Sequence, residues 1–189
     1  MEIVNDYDGL RVHCQVDEEV EFREMKKVII EYERVILDDQ CFSSEVKRVL
    51  ACKARRRDVD LEALSCQALR DVGLCLCYGY RIRKDKDKAF EYLINCLDKG
   101  YAEKFPGLGE VAYYLGLIAE EQGIPFDDWF YKLSSDEKYS GGKFRYGLVL
   151  LDDRRKTYNY EEGMGLIEEA VQEEWPPAIE FMEKYGKLL

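Results

Sequence analysis

The chain has 189 residues, 47% of them hydrophobic and 13% aromatic, enough for one continuous core and too apolar for a disordered chain. A formal net charge of −11 makes nucleic acid and anionic membrane poor partners; it suits a basic protein surface better, although solubility alone would also explain it. No apolar run approaches the roughly 20 residues a membrane helix needs, and the N-terminus, MEIVNDYDGLRVHCQV, has no basic start and no apolar h-region, so a cytoplasmic setting is expected.

Residues 1–17 form a first, non-helical segment. From Leu10 to Asp17 apolar and polar residues alternate strictly, the period of a half-buried strand, and Glu2-Ile3-Val4 could pair with it as a small hairpin. An extended arm along the first helices fits equally well. Residues 18–60 turn helical. Met25, Val28, Ile29, Tyr32, Val35 and Ile36 make a stripe at spacings of three and four, broken by Asp38-Asp39-Gln40. Ser43 or Ser44 then caps a shorter helix through about Arg56, with Val46, Val49 and Leu50 inward. This pair reads as a cap or a degenerate repeat. Asp60 is expected to cap the next helix, which leads through Leu61, Leu64 and Leu69.

Residues 61–189 read as about three helix pairs and a closing helix. The first pair is Ala68 to Ala102. One helix carries Gly73 in its interior and runs to Tyr78; after Gly79 and a basic loop, a second begins at Lys88-Ala89 and stops at Gly100. An interior glycine costs about 1 kcal/mol against alanine, so it marks a place where another helix comes very close. The spelling returns at one offset of 74 residues: Gly73 maps to Gly147, Ala89 to Gly163, Leu93 to Ile167, Cys96 to Ala170 and Tyr101 to Trp175. Between them Val111 to Leu117, around Gly116, repeats the first helix, and Asp127 to Leu133 the second. Tyr101 to Gly109 reads as a long loop on one rim, Gly123-Ile124-Pro125 as a sharp turn, and Gly141-Gly142 as a break. Pro176-Pro177 opens a last helix with Ile179, Phe181, Met182 and Tyr185, covering the end of the stack. A period in the thirties with helix-turn-helix content is the signature of a stacked α-solenoid.

Ala68, Val72-Gly73, Gly79, Asp85-Lys86-Asp87-Lys88-Ala89, Tyr92 and Gly100 together resemble the Sel-one-like repeat (SLR) family, a relative of the tetratricopeptide repeat. The second copy keeps Ala112 and Leu115-Gly116 but loses most of its loop. The third keeps Tyr146-Gly147, Tyr160, Ala170 and Ala178, with Gly163 and Glu174 replacing the expected alanine and closing glycine. The likeness covers about Ala68 to Phe181. It implies an all-α, right-handed superhelix of helix pairs that serves as an adaptor or scaffold for other proteins, without catalytic residues.

Nearly every route to an enzyme is closed by counting. The one histidine, His13, sits beside Cys14 on the expected strand, where adjacent side chains point to opposite faces. The seven cysteines include no C-x-x-C, and Cys75 and Cys77 stand about 200° apart on a helix, so a buried, reduced core role is expected and no metal. Gly107-Leu108-Gly109 lacks the third glycine and the Lys-Ser/Thr ending of a phosphate loop, and no cofactor is expected. The acid pairs Asp127-Asp128, Asp152-Asp153 and Glu161-Glu162 lie at turns or helix starts, where capping explains them. The cluster Lys47, Arg48, Lys53, Arg55, Arg56 and Arg57 has no interleaved aromatics, a weak nucleic-acid signal.

What remains is the stripe beside each interior glycine: Arg70, Leu74 and Cys77; Tyr113, Leu117 and Glu120; Phe144, Leu148 and Leu151. If the opposite side of each helix packs on its partner, this stripe lines a concave surface. Arg70, Tyr113, Glu120, Phe144 and Arg145 are then the expected contacts for another protein. On the competing reading the leucines are core and only Arg70, Tyr113, Glu120 and Arg145 are free. An adaptor role is the default expectation. Neutralisation of a toxin by direct binding is the alternative, by analogy alone, and an enzyme with a buried acid pair in the groove is the third.

Overall fold

The computed structural model of the chain describes residues 42–54, 59–125 and 127–185. They hold eight α-helices and no strand: α1 (Ser44–Ala54), α2 (Cys66–Tyr78), α3 (Lys86–Glu103), α4 (Leu108–Gln122), α5 (Asp127–Asp136), α6 (Ser140–Leu151), α7 (Tyr160–Gln172) and α8 (Pro176–Tyr185). The hairpin or arm expected for residues 1–17, the helix expected over Glu18–Leu37, and His13, Cys14 and Arg55 to Arg57 lie outside the described residues. Among the described helices none is long and apolar enough to cross a membrane.

Local chemistry sets most helix ends. The Ser43 hydroxyl accepts from the Val46 amide at 3.2 Å and starts α1, whose Val46, Val49 and Leu50 are buried. Asp60 does not cap α2. It accepts from the Glu62 amide at 3.1 Å and closes a turn ending at buried Leu64, while Ser65 accepts from Ala68 at 3.2 Å and caps the helix. α2 ends at Gly79, whose φ of 73° is the left-handed conformation that glycine adopts without cost. α3 does not stop at Gly100 but continues to Glu103 and ends at Lys104, itself left-handed. Gly100 serves contact instead: a Cβ there would stand 2.6 Å from Leu108 Cδ2 and 3.2 Å from Phe105 Cβ. The loop expected over Tyr101 to Gly109 thus shrinks to residues 104–107. Gly141-Gly142 likewise lies inside α6 rather than before it, because the start of α6 must clear Tyr139, Trp175 and Ser134.

The interior glycines are the points of closest approach within each pair. A Cβ on Gly73 would lie 2.8 Å from Leu93 of α3, one on Gly116 2.5 Å from Tyr131 of α5, and one on Gly147 2.7 Å from Ile167 of α7. Gly73–Leu93 and Gly147–Ile167 are the same contact 74 residues apart. Each helix also packs on its neighbour in sequence, and α4 reaches α6. Aromatic pairs join helices two apart: Tyr78 with Tyr114 at 6.2 Å, Phe90 with Phe130 at 6.0 Å, and Phe144 with Phe181 at 5.9 Å between ring centres. One buried cluster runs from Phe42 to Ala178.

Candidate functional site

The expected contact stripe does not survive as a surface. Tyr113 and Phe144 are buried, Tyr113 within 6 Å of the rings of Tyr114, Tyr139 and Trp175, so neither offers area to a visiting chain. Leu74 and Cys77 are buried too, and Leu117, Leu148 and Leu151 are half-buried against the core, so the leucines are core residues, but Tyr113 and Arg145 are not free as the competing reading has them. Arg145 and Glu120 satisfy each other. The Arg145 guanidinium pairs with Glu120, donates to the Tyr131 hydroxyl at 3.2 Å and lies 5.2 Å from that ring's centre. Tyr131 in turn donates to Glu120, so α4, α5 and α6 meet at one buried polar knot. Burial works against the Arg145 charge, but Tyr131 and Glu120 outweigh it and raise its pKa; burial pushes the Tyr131 hydroxyl up as well.

Of the five expected residues, Arg70 lines a cleft. On α2, it lies with its Nη1 3.0 Å from Glu110 of α4, its Nε and Nη2 on Asp71 Oδ1 at 3.0 and 2.9 Å, and its guanidinium 5.8 Å from the Phe105 ring centre. Gln67 completes the buried Asp71 with a bond of 2.9 Å. Burial opposes the Arg70 charge, yet Glu110 and Asp71 raise its pKa; at Glu110 burial wins over Arg70 and raises the carboxyl above its ordinary range.

This open cleft, about 360 Å³, lies between the loop 104–107, the starts of α2 and α4, and the α5–α6 link, where Glu137, Lys138 and Tyr139 stand. That volume is at the lower end of what small-ligand or single-side-chain pockets use. Gly107 and Gly109 keep it open. A Cβ on Gly107 would strike the Phe105 ring at 2.6 Å, and one on Gly109 would stand 2.8 Å from Tyr139 Cβ and 3.1 Å from Glu137 Cβ. The far wall is fixed by the buried Ser134 hydroxyl, which donates to the Gly109 carbonyl at 2.6 Å and ties the end of α5 to the start of α4. In the sequence Gly107-Leu108-Gly109 reads as a failed phosphate loop, and nothing there points to Phe105, Glu110 or Glu137. Two glycines flanking Leu108, just after Phe105-Pro106, are the available signal: they mark where walls come close.

The described thiols Cys66, Cys75, Cys77 and Cys96 are buried and unbridged. Burial pushes Cys75 and Cys96 up to about 12, which keeps them protonated and poor nucleophiles near neutral pH. Among the described residues no three His, Cys, Asp or Glu side chains converge as a metal ion would require. No family model, no curated protein and no solved structure matches the chain.

Proposed function

We propose that the chain is an SLR-type αα-array, a right-handed superhelix of helix pairs, and that it works as a protein–protein interaction module. The observation that carries this reading is a recurring hairpin. Asp85 and Asn159 have nearly identical backbones (φ −153°, ψ 97° and φ −152°, ψ 94°), and each caps its helix by accepting from the amide three residues on. Their own amides donate to Leu76 and Leu150 at 3.0 and 2.9 Å. With Gly73–Leu93 and Gly147–Ile167, cap, link and helix contact all recur at one offset, as stacked two-helix units require. The contacts between helices two apart are also of the kind that stacking needs.

In support of a binding role, the described residues form a cleft at the ends of the helix pairs, lined by Arg70, Glu110 and Glu137 beside Phe105 and Tyr139. Such arrays recognise partners through surfaces built across several repeats. The test is capture of partners by the immobilised full chain, followed by calorimetry with each purified candidate. A stoichiometric complex supports the module, and a single tight basic toxin specifies the neutralising variant. A chain that binds no protein would overturn both.

A further inference from the structure

In the link between α6 and α7, residues 152–159, three cations stand directly before a hydroxyl. Arg154, Arg155 and Lys156 precede Thr157, the chain's single threonine, and Tyr158 follows it. Lys156, Thr157 and Tyr158 are exposed, and the Arg154 side chain is 63% exposed. The described serines differ. Ser43 and Ser65 cap helices, Ser140 bonds Glu173, and Ser134 and Ser135 are buried. Ser44 follows Asp38-Asp39-Gln40 rather than cations, and the other basic run, Lys53 to Arg57, has no hydroxyl behind it until Ser65.

The link is lightly held. The Arg155 amide donates to the Asp152 carbonyl at 3.0 Å and the Tyr158 amide to the Arg155 carbonyl at 3.2 Å, both turns within the link. The Asn159 amide donates to Leu150 at 2.9 Å and fixes the start of α7. Residues 153–158 can therefore be drawn out straight at the loss of two exposed turn bonds, with both helices intact. Arg154 pairs with Asp152 at 2.8 Å, and Arg155 with Asp152 at 3.4 Å and with Asp128 of α5. Ion pairs this open to water yield readily to a competing acid. Asp152 and Asp153 before the run, and Glu161 and Glu162 after it, leave the region without a net positive charge, so it is no general trap for anions. What sets it apart is order: arginine, arginine, lysine, hydroxyl.

We propose that Thr157 is a phosphorylation site for a protein kinase that reads arginines on the N-terminal side of its target. Acidic pockets of such a kinase take Arg154 and Arg155, three and two residues before the hydroxyl, and carboxylates suit guanidinium forks well. Thr157 Oγ1 attacks the γ-phosphorus of ATP. The bond from that phosphorus to the β-phosphate oxygen breaks, ADP leaves, and the hydroxyl proton passes to the kinase's catalytic carboxylate. The product places about −1.5 to −2 of charge among Arg154, Arg155 and Lys156. Arg155 then exchanges Asp128 for the phosphate. Asp128 lies in the first turn of α5 beside Trp129, so the loss of this tie is felt at the start of that helix.

The test is incubation of the full chain with magnesium-ATP and an arginine-directed protein kinase, with an acid-directed kinase in parallel, followed by peptide mass spectrometry. One phosphoryl group should enter, at Thr157, with the arginine-directed enzyme alone. Thr157→Val should abolish it. Arg154→Ala, which removes only an exposed pair and leaves the hydroxyl in place, should lower kcat/KM at least tenfold, the discrimination that about 1.4 kcal/mol of lost contact gives. No incorporation, incorporation at a serine, or an unchanged rate in Arg154→Ala would each overturn the site. In the phosphorylated chain, amide nitrogen–proton spectra should shift at Asp128 and Trp129 as well as in the link. Phosphorus spectra should place the phosphate's second ionisation below its ordinary value of about 6, because the neighbouring cations favour the dianion. A phosphate that titrates as a free one, with Asp128 and Trp129 unmoved, would overturn the exchange of Arg155.

Discussion

Arg145 is 7% exposed, and because a guanidinium stays charged even when so enclosed, its burial is tolerated only while a counter-charge stays in place. Glu120 supplies that charge from the last turn of α4, and the Tyr131 hydroxyl bonds to both. Replacing Glu120 with alanine should therefore cost far more than loss of a surface acid: about 2 kcal/mol, below the usual cost of breaking a fully buried pair because Glu120 is itself 32% exposed. In thermal melts that is a drop of roughly 4–8 °C. The double variant Glu120→Leu with Arg145→Met should recover much of the loss, since it leaves no charge stranded. A melt unchanged by Glu120→Ala would mean that water, not Glu120, serves the guanidinium. The same knot explains why these two residues mislead a reader of the sequence. A charged residue on an apolar helical stripe looks like a free contact until the fold brings its opposite charge across from another helix, and 25 residues of separation hide that pairing.

At the scale of helices the sequence is more candid, because caps and close contacts are local. Gly73, Gly116 and Gly147 were legible as contact points, and Asp85 as part of the repeat motif, since each is a residue type that one backbone environment demands. Gly100 and Gly141-Gly142 were misread as stops for the same reason. Glycine marks either a turn or a close neighbour, and only the positions of Leu108, Trp175 and Ser134 decide between them. The three kinds of helical glycine give a graded prediction. At Gly147 an added Cβ would meet the Gly163 carbonyl at 2.8 Å, a backbone atom that cannot turn aside, whereas at Gly73 it meets the end of the Leu93 side chain. Gly147→Ala should cost about 2 kcal/mol and Gly73→Ala about half that. Gly165, on α7 with no atom within 4 Å of the added methyl, should gain about 0.5–1 kcal/mol as alanine from helix propensity alone. Denaturant midpoints for the three variants check the order. A destabilised Gly165→Ala, or equal costs at Gly73 and Gly147, would contradict the packing described.

Over the whole molecule the question is whether the helices form an array or a single indivisible core. Among the described residues the main helix contacts run between neighbours in sequence and between α4 and α6, and α8 packs on α7 and, through Phe181, on Phe144. In such an array the stability of a unit depends on its immediate neighbours, so damage at one end stays near that end. Ending the chain after Trp175 removes α8 and uncovers Phe144, while the ring contacts of Trp175 with Tyr113 and Tyr139 remain possible. Amide exchange followed by mass spectrometry should then show protection falling in α6 and α7 and persisting in α2 and α3, where Leu93 still closes on Gly73. An array loses its end repeat without losing its first. Uniform loss of protection from α2 to α7 would instead mark one cooperative core, and with it would go the inference that partners meet a surface assembled unit by unit.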